Sequence, residues 1–274
     1  MAKSPHVYIS ADLEGITGVF GREQAASSGR NYERARRAMT ADVNAAVAGA
    51  LAAGAGLIVV TDGHGSKDNL ILEELNPAAE VVLGSPRPLT QMEGISADFD
   101  VALLIGYHSR MGSPGVLSHT ISGGVVANIW VNGRLAGEIG INAVLAGSFG
   151  VPVGLVTGDQ YTCAEAREFI GDVRTVEVKQ AITRYAARCL HPQRSEALIR
   201  EAARETVAGL GELKPLSTEP PYTFRLQCQN TGMAESAARV PGAVVINPTT
   251  LEVADDDAAA AFAALRAMIG LARS

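Results

Sequence analysis

Short apolar runs that end abruptly in polar residues constrain the fold of this chain more than any other feature. Residues 57–61, 101–105 and 153–156 are such runs, and residues 7–9 form a shorter one. Continuous apolar and β-branched runs of this length are typical of strands that are buried on both faces of a parallel sheet. We therefore expect a sheet that is covered on both sides.

Segments with helix-forming composition separate these strands. Residues 31–53 end at Gly54, as helices commonly do, and residues 255–272 form an alanine-rich segment with an acidic start that suits the helix dipole. Residues 180–189 are also predicted to be helical, after a strand at residues 174–178. Alternating strands and helices indicate parallel β-α-β units with right-handed crossovers. The predicted fold class is α/β: a mainly parallel sheet with helices on both faces, plus a smaller C-terminal α/β module.

Composition excludes several classes of function. The 274 residues carry a net charge of −6 with no basic stripe, so we expect no nucleic-acid partner. The three cysteines are scattered and odd in number, which indicates reduced thiols rather than a disulfide framework. No apolar segment typical of a secretory signal precedes the first strand. These features predict a cytoplasmic protein.

Two long uncharged windows, residues 43–61 and 139–158, approach the length of a membrane span. Each contains a glycine-rich or proline-containing break, at residues 54–56 and 147–152. Each window is therefore better interpreted as a buried helix end, a turn and a buried strand. We expect no membrane association.

Acidic and imidazole side chains follow the predicted strands. In parallel sheets of this kind, ligands bind outside the carboxyl ends of the strands. Because residues two apart on an extended backbone point to the same side, the carboxylates of the first pair should share one small space. The residues at this edge are Asp12, Glu14, Asp62, His64, His108 and Asp159.

The mixture of imidazoles and carboxylates predicts a catalytic metal site. Neutral imidazole with carboxylate suits Zn²⁺, with Mn²⁺ or Co²⁺ as substitutes, and no cysteine has the spacing of a closed structural zinc site. Five candidate ligands are too many for one catalytic zinc and suit two ions about 3.5–4 Å apart. They are Asp12, Glu14, His64, His108 and Glu138. Asp12, at the very end of its strand, is the candidate for the shared carboxylate.

Five motifs, in order, make the chain similar to a known family. The chain resembles the zinc-dependent D-aminopeptidases of the dipeptide-operon type, and weaker similarity at residues 31–34 and 178–180 extends the likeness over nearly the whole length. The motifs are SADLEGITG at 10–18, TDGHGSK at 61–67, GYHSR at 106–110, PGVLSHT at 114–120 and NGRLAGEIGIN at 132–142.

The resemblance implies a role for each site residue. Asp12 would bridge two zinc ions, Glu14 and His108 would complete one site, and His64 and Glu138 the other. His119 matches the active-site histidine, which stands off the metals. The implied activity is aminopeptidase hydrolysis of small, D-amino-acid-containing peptides. Family members form a decamer of stacked pentamers, which implies a homo-oligomer here.

Several assignments remain open at this stage. Asp159 would either anchor the substrate amine or cap a helix. Lys179 would either be a solvated lysine at a strand end or pair with a substrate carboxylate. Asp62 would orient His64 or cap a turn. We expect a metal-binding catalytic α/β domain over residues 1–195, and a smaller α/β module that follows a helix and the proline-rich linker at 215–221, over residues 196–274.

Two alternatives to a peptidase are weighed against it. One is another dimetal hydrolase that cleaves phosphoesters or cyclic amides, although Arg110 is the one arginine that follows the predicted strands. The other is a metal-stabilised binding protein without catalysis, which would leave His119 without a role.

Overall fold

The computed structural model describes residues 4–273 and contains two sheets. Strands alternate with helices along much of the chain, and some consecutive strands pair as antiparallel hairpins. The strands are β1 His6–Ala11, β2 Leu57–Asp62, β3 Glu80–Val82, β4 Val101–Ile105, β5 Val126–Val131, β6 Arg134–Ala136, β7 Val153–Asp159, β8 Arg174–Thr183, β9 Ala186–Cys189, β10 Tyr222–Cys228, β11 Val244–Asn247 and β12 Thr250–Asp255.

The helices range from single turns to a long helix that follows the first strand. They are α1 Arg22–Ala25, α2 Tyr32–Ala52, α3 Glu138–Ser148, α4 Gln160–Ile170, α5 Pro192–Ala208, α6 Thr231–Ala237 and α7 Ala258–Leu271, with 3-10 turns at Leu72–Glu74, Thr90–Met92 and Leu210–Glu212. Within residues 4–273, no helix combines the length and the apolar character that a membrane crossing requires.

The first sheet has the order β3-β2-β1-β4-β7-β8-β9, and every pair is parallel except β8 with β9. Alternate side chains of β1 enter different cores. Val7 and Ile9 pack in the core that contains α2 and α5, whereas Tyr8 packs in the core that contains α3, α7 and the second sheet. A strand buried on both faces favours apolar side chains on both, which explains the apolar runs.

The second sheet is antiparallel, with the order β11-β12-β10-β5-β6. It takes β5 and β6 from before residue 195 and its other three strands from after it. The division of the chain at residue 195 stays a prediction. The α/β fold class with a mainly parallel sheet is confirmed.

The predicted helix at residues 180–189 is wrong. Strand β8 continues to Thr183, and β9 pairs with it as an antiparallel hairpin at the edge of the first sheet, where Lys179 lies opposite Cys189. The alanine, glutamine and arginine residues of this segment favour a helix locally. The backbone hydrogen bonds available along the edge of β8 outweigh that weak preference.

Candidate metal centre

Asp12 and Glu14 lie in the turn that follows β1. The amide of Asp12 donates to the carbonyl of Ile105, 2.8 Å away, and the amide of Gly15 donates to the carbonyl of Gly106, 2.7 Å away. These bonds fix the turn against the end of β4. Only 2% of Asp12 and 6% of Glu14 is exposed. Two carboxylates buried side by side repel each other unless a proton or a cation lies between them.

His64 reaches both carboxylates from the loop after β2. Its Nδ1 lies 3.2 Å from Asp12 Oδ1 and 2.9 Å from Glu14 Oε2. Its Nε2 lies 2.8 Å from the carbonyl oxygen of Ala25. The loops after two neighbouring parallel strands thus meet at one point, as the strand-end rule predicts.

Asp62 organises the loop that carries His64. Its carboxylate accepts hydrogen bonds from the amide of His64, from the amide and side chain of Asn69, and from the amide of Leu70, at 2.6–3.2 Å. Among the hydrogen bonds and ion pairs of residues 4–273, none joins the Asp62 carboxylate to the His64 ring. Of the two roles considered for it, the structure supports capping the turn.

His108 is the most deeply buried imidazole of the group, with 1% of its surface exposed. Its Nδ1 lies 3.0 Å from the carbonyl oxygen of Ser109. Its Nε2 lies 3.5 Å from Asp12 Oδ2 and 3.4 Å from Glu138 Oε1. Within residues 4–273 this buried Nε2 has no hydrogen-bond partner. A buried polar atom without a partner requires an explanation, and a cation ligand supplies one.

Glu138 is the first residue of α3, where a carboxylate also interacts favourably with the helix dipole. Its Oε1 accepts from the amide of Ile121 at 2.6 Å, and its Oε2 accepts from Gln91 Nε2 at 2.5 Å. Gln91 Nε2 also donates to Asp12 Oδ2 at 3.2 Å, and Asn142 Nδ2 donates to Gln91 Oε1 at 2.9 Å.

Gln91 and Asn142 were not predicted as site residues from the sequence. Asn142 follows Glu138 by four residues on one face of α3, so helical spacing could have identified it. Gln91 lies in a single 3-10 turn with no motif around it. Only the tertiary structure brings this glutamine to the carboxylates.

His119 stands beside the cluster. Its ring stacks on that of His108, with centroids 4.2 Å apart and an angle of 10° between planes. Its Nδ1 lies 2.9 Å from the carbonyl oxygen of Leu117, and its Nε2 lies 3.8 Å from Glu138 Oε1. With 22% of its side chain exposed, His119 faces the cavity more openly than the other two rings.

His64, His108 and His119 share one arrangement. One ring nitrogen contacts a backbone carbonyl oxygen, which can only accept, so that nitrogen carries a hydrogen. The other nitrogen faces carboxylate oxygens, which also accept. Such a contact is favourable only when a proton or a metal cation lies between the two atoms. Imidazole and carboxylate ligands of this kind fit Zn²⁺.

The pKa values express the same conflict. Burial by itself would raise the pKa of Asp12, but the imidazoles of His108 and His64 beside it hold that pKa well below its usual range. Burial likewise opposes the shift at Glu138, yet the neighbouring His108 lowers its pKa to about 2. Although burial disfavours their charged forms, the facing carboxylates raise the pKa values of His64 and His108 well above the ordinary range. Divalent cations would take the place of the imidazole protons.

Two overlapping groups of ligand atoms lie within 4.8 Å of one another: His108 with His119 and Glu138, and Asp12 with Glu14 and His108. The direct contacts pair His64 with Glu14, and His108 with Glu138. The predicted division pairs these residues differently. Which residues serve which ion stays a prediction, while the five predicted ligands do lie together.

Asp159 is the N-cap of α4. Its Oδ1 accepts from the amides of Tyr161 and Thr162 and from the hydroxyl of Thr162, and its Oδ2 accepts from the amide of Val116. These bonds occupy both oxygens, and Asp159 is not among the residues that line the cavity. The capping role is the one that the structure supports.

Lys179 is neither solvated nor in the cavity. It is 1% exposed, and its Nζ donates to the backbone carbonyls of Glu14, Ile16 and Val19. Both sequence-based interpretations of Lys179 are therefore wrong. Strand position alone could not reveal that the turn after β1 lies over the middle of β8 and covers this amine. Lys179 instead holds the loop that carries Asp12 and Glu14.

The cluster opens into a cavity of about 650 Å³. Asp12, Glu14, His64, His119 and Glu138 line it, and α7 contributes side chains to the same cavity. The volume is typical of a site for a small molecule or a short peptide.

The chain is similar to known proteins over nearly its whole length. A family model described as D-aminopeptidase matches residues 6–267. A D-aminopeptidase of Bacillus subtilis (strain 168) is 36% identical over 267 residues, which cover 97% of each chain. The solved structure of the Zn-dependent D-aminopeptidase DppA from Bacillus subtilis, a self-compartmentalizing protease, has a TM-score of 0.95 at 36% identity and 98% coverage of each chain.

Proposed function

The chain belongs to the D-aminopeptidase family, and on this premise we propose that it is a dizinc aminopeptidase that removes the N-terminal residue from small D-amino-acid-containing peptides. Membership in a peptidase family, which the five sequence motifs predicted, argues against a purely binding protein. The observation that carries the proposal is the buried Nε2 of His108, which faces two carboxylates and has no hydrogen-bond partner among residues 4–273.

Five side chains would hold the two ions. Asp12, whose two carboxylate oxygens face different imidazoles, is suited to be shared between them. The other four ligands would be Glu14, His64, His108 and Glu138. Backbone carbonyls orient the imidazoles of His64 and His108. Gln91 orients the carboxylates of Asp12 and Glu138, so these four ligands are held before any ion binds.

His119 is the proposed acid and base. Zinc, when bound, supplies a Lewis acid that polarises the scissile carbonyl and lowers the pKa of water. Nδ1 of His119 donates to the carbonyl of Leu117. Its Nε2 therefore remains available, and it faces Glu138 where both residues line the cavity. A ring held in this way can take a proton from the attacking water at Nε2 and deliver it to the leaving amine.

The first test separates chemistry from metal binding. We expect His119→Ala to lower kcat for D-Ala-p-nitroanilide about a hundredfold to ten-thousandfold while the zinc content is unchanged. The exposed His191, replaced by alanine, is the matched control and should retain full activity. Loss of zinc from His119→Ala would make this residue a ligand and contradict the assignment.

A second test addresses the shared carboxylate. Asp12→Asn should reduce the zinc content of the purified protein from two ions per chain to fewer than one, measured by metal analysis after dialysis. A stoichiometry that stays at two would refute the bridging role. D- and L-alanyl p-nitroanilides, assayed on the same wild-type sample, test the stereochemical preference that the family description implies.

One alternative activity has a specific observation in its favour. Arg110, the arginine considered for phosphate binding, donates to the carbonyl of Met111 and does not line the cavity. A phosphoester substrate is the second candidate because four other cationic side chains do line the cavity. They are Lys67, Arg87, Arg266 and Arg273. Zinc-dependent turnover of p-nitrophenyl phosphate without turnover of aminoacyl anilides would favour it. No observation supports cyclic amide cleavage.

Self-association is the remaining part of the proposal. Strand β11 is an edge strand, and its residues Val244, Val245 and Ile246 are 46–60% exposed. Exposed apolar edge strands commonly mark interfaces. Because the solved relative is described as self-compartmentalizing, we propose that this chain forms a cytoplasmic homo-oligomer, a decamer, through such surfaces. Light scattering of wild type and Val245→Lys tests this; an unchanged mass for the variant would exclude β11 from the interface.

A further inference from the structure

The cavity combines an acidic end with cationic side chains that the proposed reaction does not use. Two of the cations are engaged with neighbouring groups. Arg87 donates to the carbonyls of Val82 and Asp62, and Arg273 donates to Ser122 Oγ at 3.2 Å. These two arginines therefore have structural partners.

Arg266 and Lys67 differ from them. Neither side chain makes a hydrogen bond or an ion pair with any group in residues 4–273, although both are more than half withdrawn from solvent and line the cavity. A largely buried cation is costly unless an anion or a polar partner compensates it. Within the described part of the chain, both side chains therefore lack a counter-ion at the place where a substrate would bind.

Lys67 and Arg266 differ in the charged groups that surround them. Burial lowers the pKa of Lys67, but Asp12 and Glu138 act on it in the opposite direction, so Lys67 lies toward the metal ligands. Burial also lowers the pKa of Arg266, and the neighbouring Arg273 lowers it further, while Glu138 provides a weaker opposing effect. Arg266 and Arg273 are thus like charges that line the same cavity, and no carboxylate among residues 4–273 forms an ion pair with either of them.

An aminopeptidase substrate supplies one anion of the required kind. A short peptide has its scissile bond near its amine and a carboxylate at its other end. A guanidinium group binds a carboxylate through two parallel hydrogen bonds, which gives directional recognition that an ammonium group does not provide. Helix α7, which carries Arg266, also places the buried Phe262 in the cavity wall beside it.

We propose that Arg266 binds the C-terminal carboxylate of the substrate and makes this chain selective for short peptides that are free acids. The proposal rests on the aminopeptidase function proposed above. Arg266 acts at the far end of the substrate from the reacting atoms, so it determines specificity and does not take part in proton transfer.

The test compares two substrates that differ only at the C-terminus, D-Ala-D-Ala and D-Ala-D-Ala-amide, with the zinc-loaded protein. Wild type should favour the free acid by about tenfold to a hundredfold in kcat/KM, the range expected for charge-assisted hydrogen bonds. Arg266→Gln should remove this preference through a higher KM for the acid, with the amide unaffected. Arg266→Lys should restore part of it. Arg239→Gln, which removes the same charge from an exposed position, should behave as wild type.

Three results would overturn the proposal. Wild type could cleave acid and amide equally, Arg266→Gln could impair both substrates to the same extent, or Arg266 could prove necessary for cleavage of p-nitrophenyl phosphate instead, which would assign the cation to a phosphate group.

A binding measurement separates this proposal from the function on which it rests. If no aminoacyl substrate is cleaved, the proposed function fails, but calorimetry with D-Ala-D-Ala and its amide still tests Arg266. In the His119→Ala background, the free acid should bind at least about tenfold more tightly than the amide, and Arg266→Gln should abolish the difference. Equal binding of the two peptides would refute the carboxylate site whatever the activity.

Discussion

Replacing the buried Lys179 with methionine tests how the metal-binding turn is held. The methionine side chain is similar in length but cannot donate to the carbonyls of Glu14, Ile16 and Val19. All three carbonyls lose Lys179, but the amide of Val19 still donates to the Ile16 carbonyl, so two carbonyls are left without a donor among residues 4–273, those of Glu14 and Val19. A buried acceptor without a partner costs about 1–3 kcal/mol, hence about 2–6 kcal/mol for two.

The free-energy cost of burying the Lys179 charge offsets part of this loss of stability. Burial lowers the pKa of Lys179 from 10.5 to about 8, although the charge of Asp159 and other nearby acidic groups opposes the shift. A pKa lower by about 2.5 means that the charged form is disfavoured in the folded protein by about 3 kcal/mol. Methionine removes this penalty at neutral pH. We therefore expect the variant to be at most about 3 kcal/mol less stable than wild type at pH 7, as the difference between the two effects.

The sign of the pH dependence is opposite to that of a lysine in an ion pair. Because the folded pKa is lower than the unfolded one, the unfolded chain binds more protons between pH 8 and 10.5. Wild type should therefore gain about 3 kcal/mol of stability as the pH rises through this window, whereas Lys179→Met gains none. The stability difference between the two proteins should widen by the same amount.

The assay is urea unfolding of the metal-free proteins from pH 7 to 10.5, with a zinc-competition titration at pH 7. The exposed Lys214, replaced by methionine, is the control. A looser turn should also weaken zinc binding about tenfold or more, as is typical when a group that orients a ligand is lost. A stability difference that stays constant with pH would contradict the buried charge, and unchanged zinc affinity would contradict the role of Lys179 in holding the turn.

Three further substitutions test other parts of the site. Burial raises the pKa of Asp42 to about 6 despite hydrogen bonds from Thr17, so the native protein binds more protons than the unfolded chain between pH 4 and 6. The free energy of unfolding of wild type should therefore fall by up to about 3 kcal/mol as the pH rises through this range. Asp42→Asn should remove this fall when unfolding is measured at each pH. Gly15→Ala would place a methyl group against the carbonyl oxygen of Tyr107, and we expect at least about 3 kcal/mol of destabilisation by thermal unfolding; a smaller loss would mean that the turn can shift. Gln91→Leu removes the amide that donates to two of the carboxylates, so zinc affinity should fall about tenfold to a hundredfold; equal affinity would show that Gln91 does not orient them.

Local patterns in the sequence determined the sheet and the proposed ligands. A strand buried on both faces is mostly apolar, and charged residues and imidazoles return where the strand ends, so the pattern that predicts β1, β2 and β4 also predicts the position of Asp12, His64 and His108. The individual roles of Glu138 and His119 depended on motif resemblance, since neither directly follows a strand of the parallel sheet. The structure brings them to the same cavity.

Other features were decided only by contacts between distant parts of the chain. Residues 180–189 form a strand because the edge of β8 offers backbone partners that a local preference cannot anticipate. Lys179 is buried because the turn after β1 encloses it, and Gln91 reaches the carboxylates from a turn without any motif. Arg266 acquires significance from the cavity that α7 borders. The sequence encodes burial and strand ends through spacing, whereas the partners of a charged or amide group depend on which segments pack together.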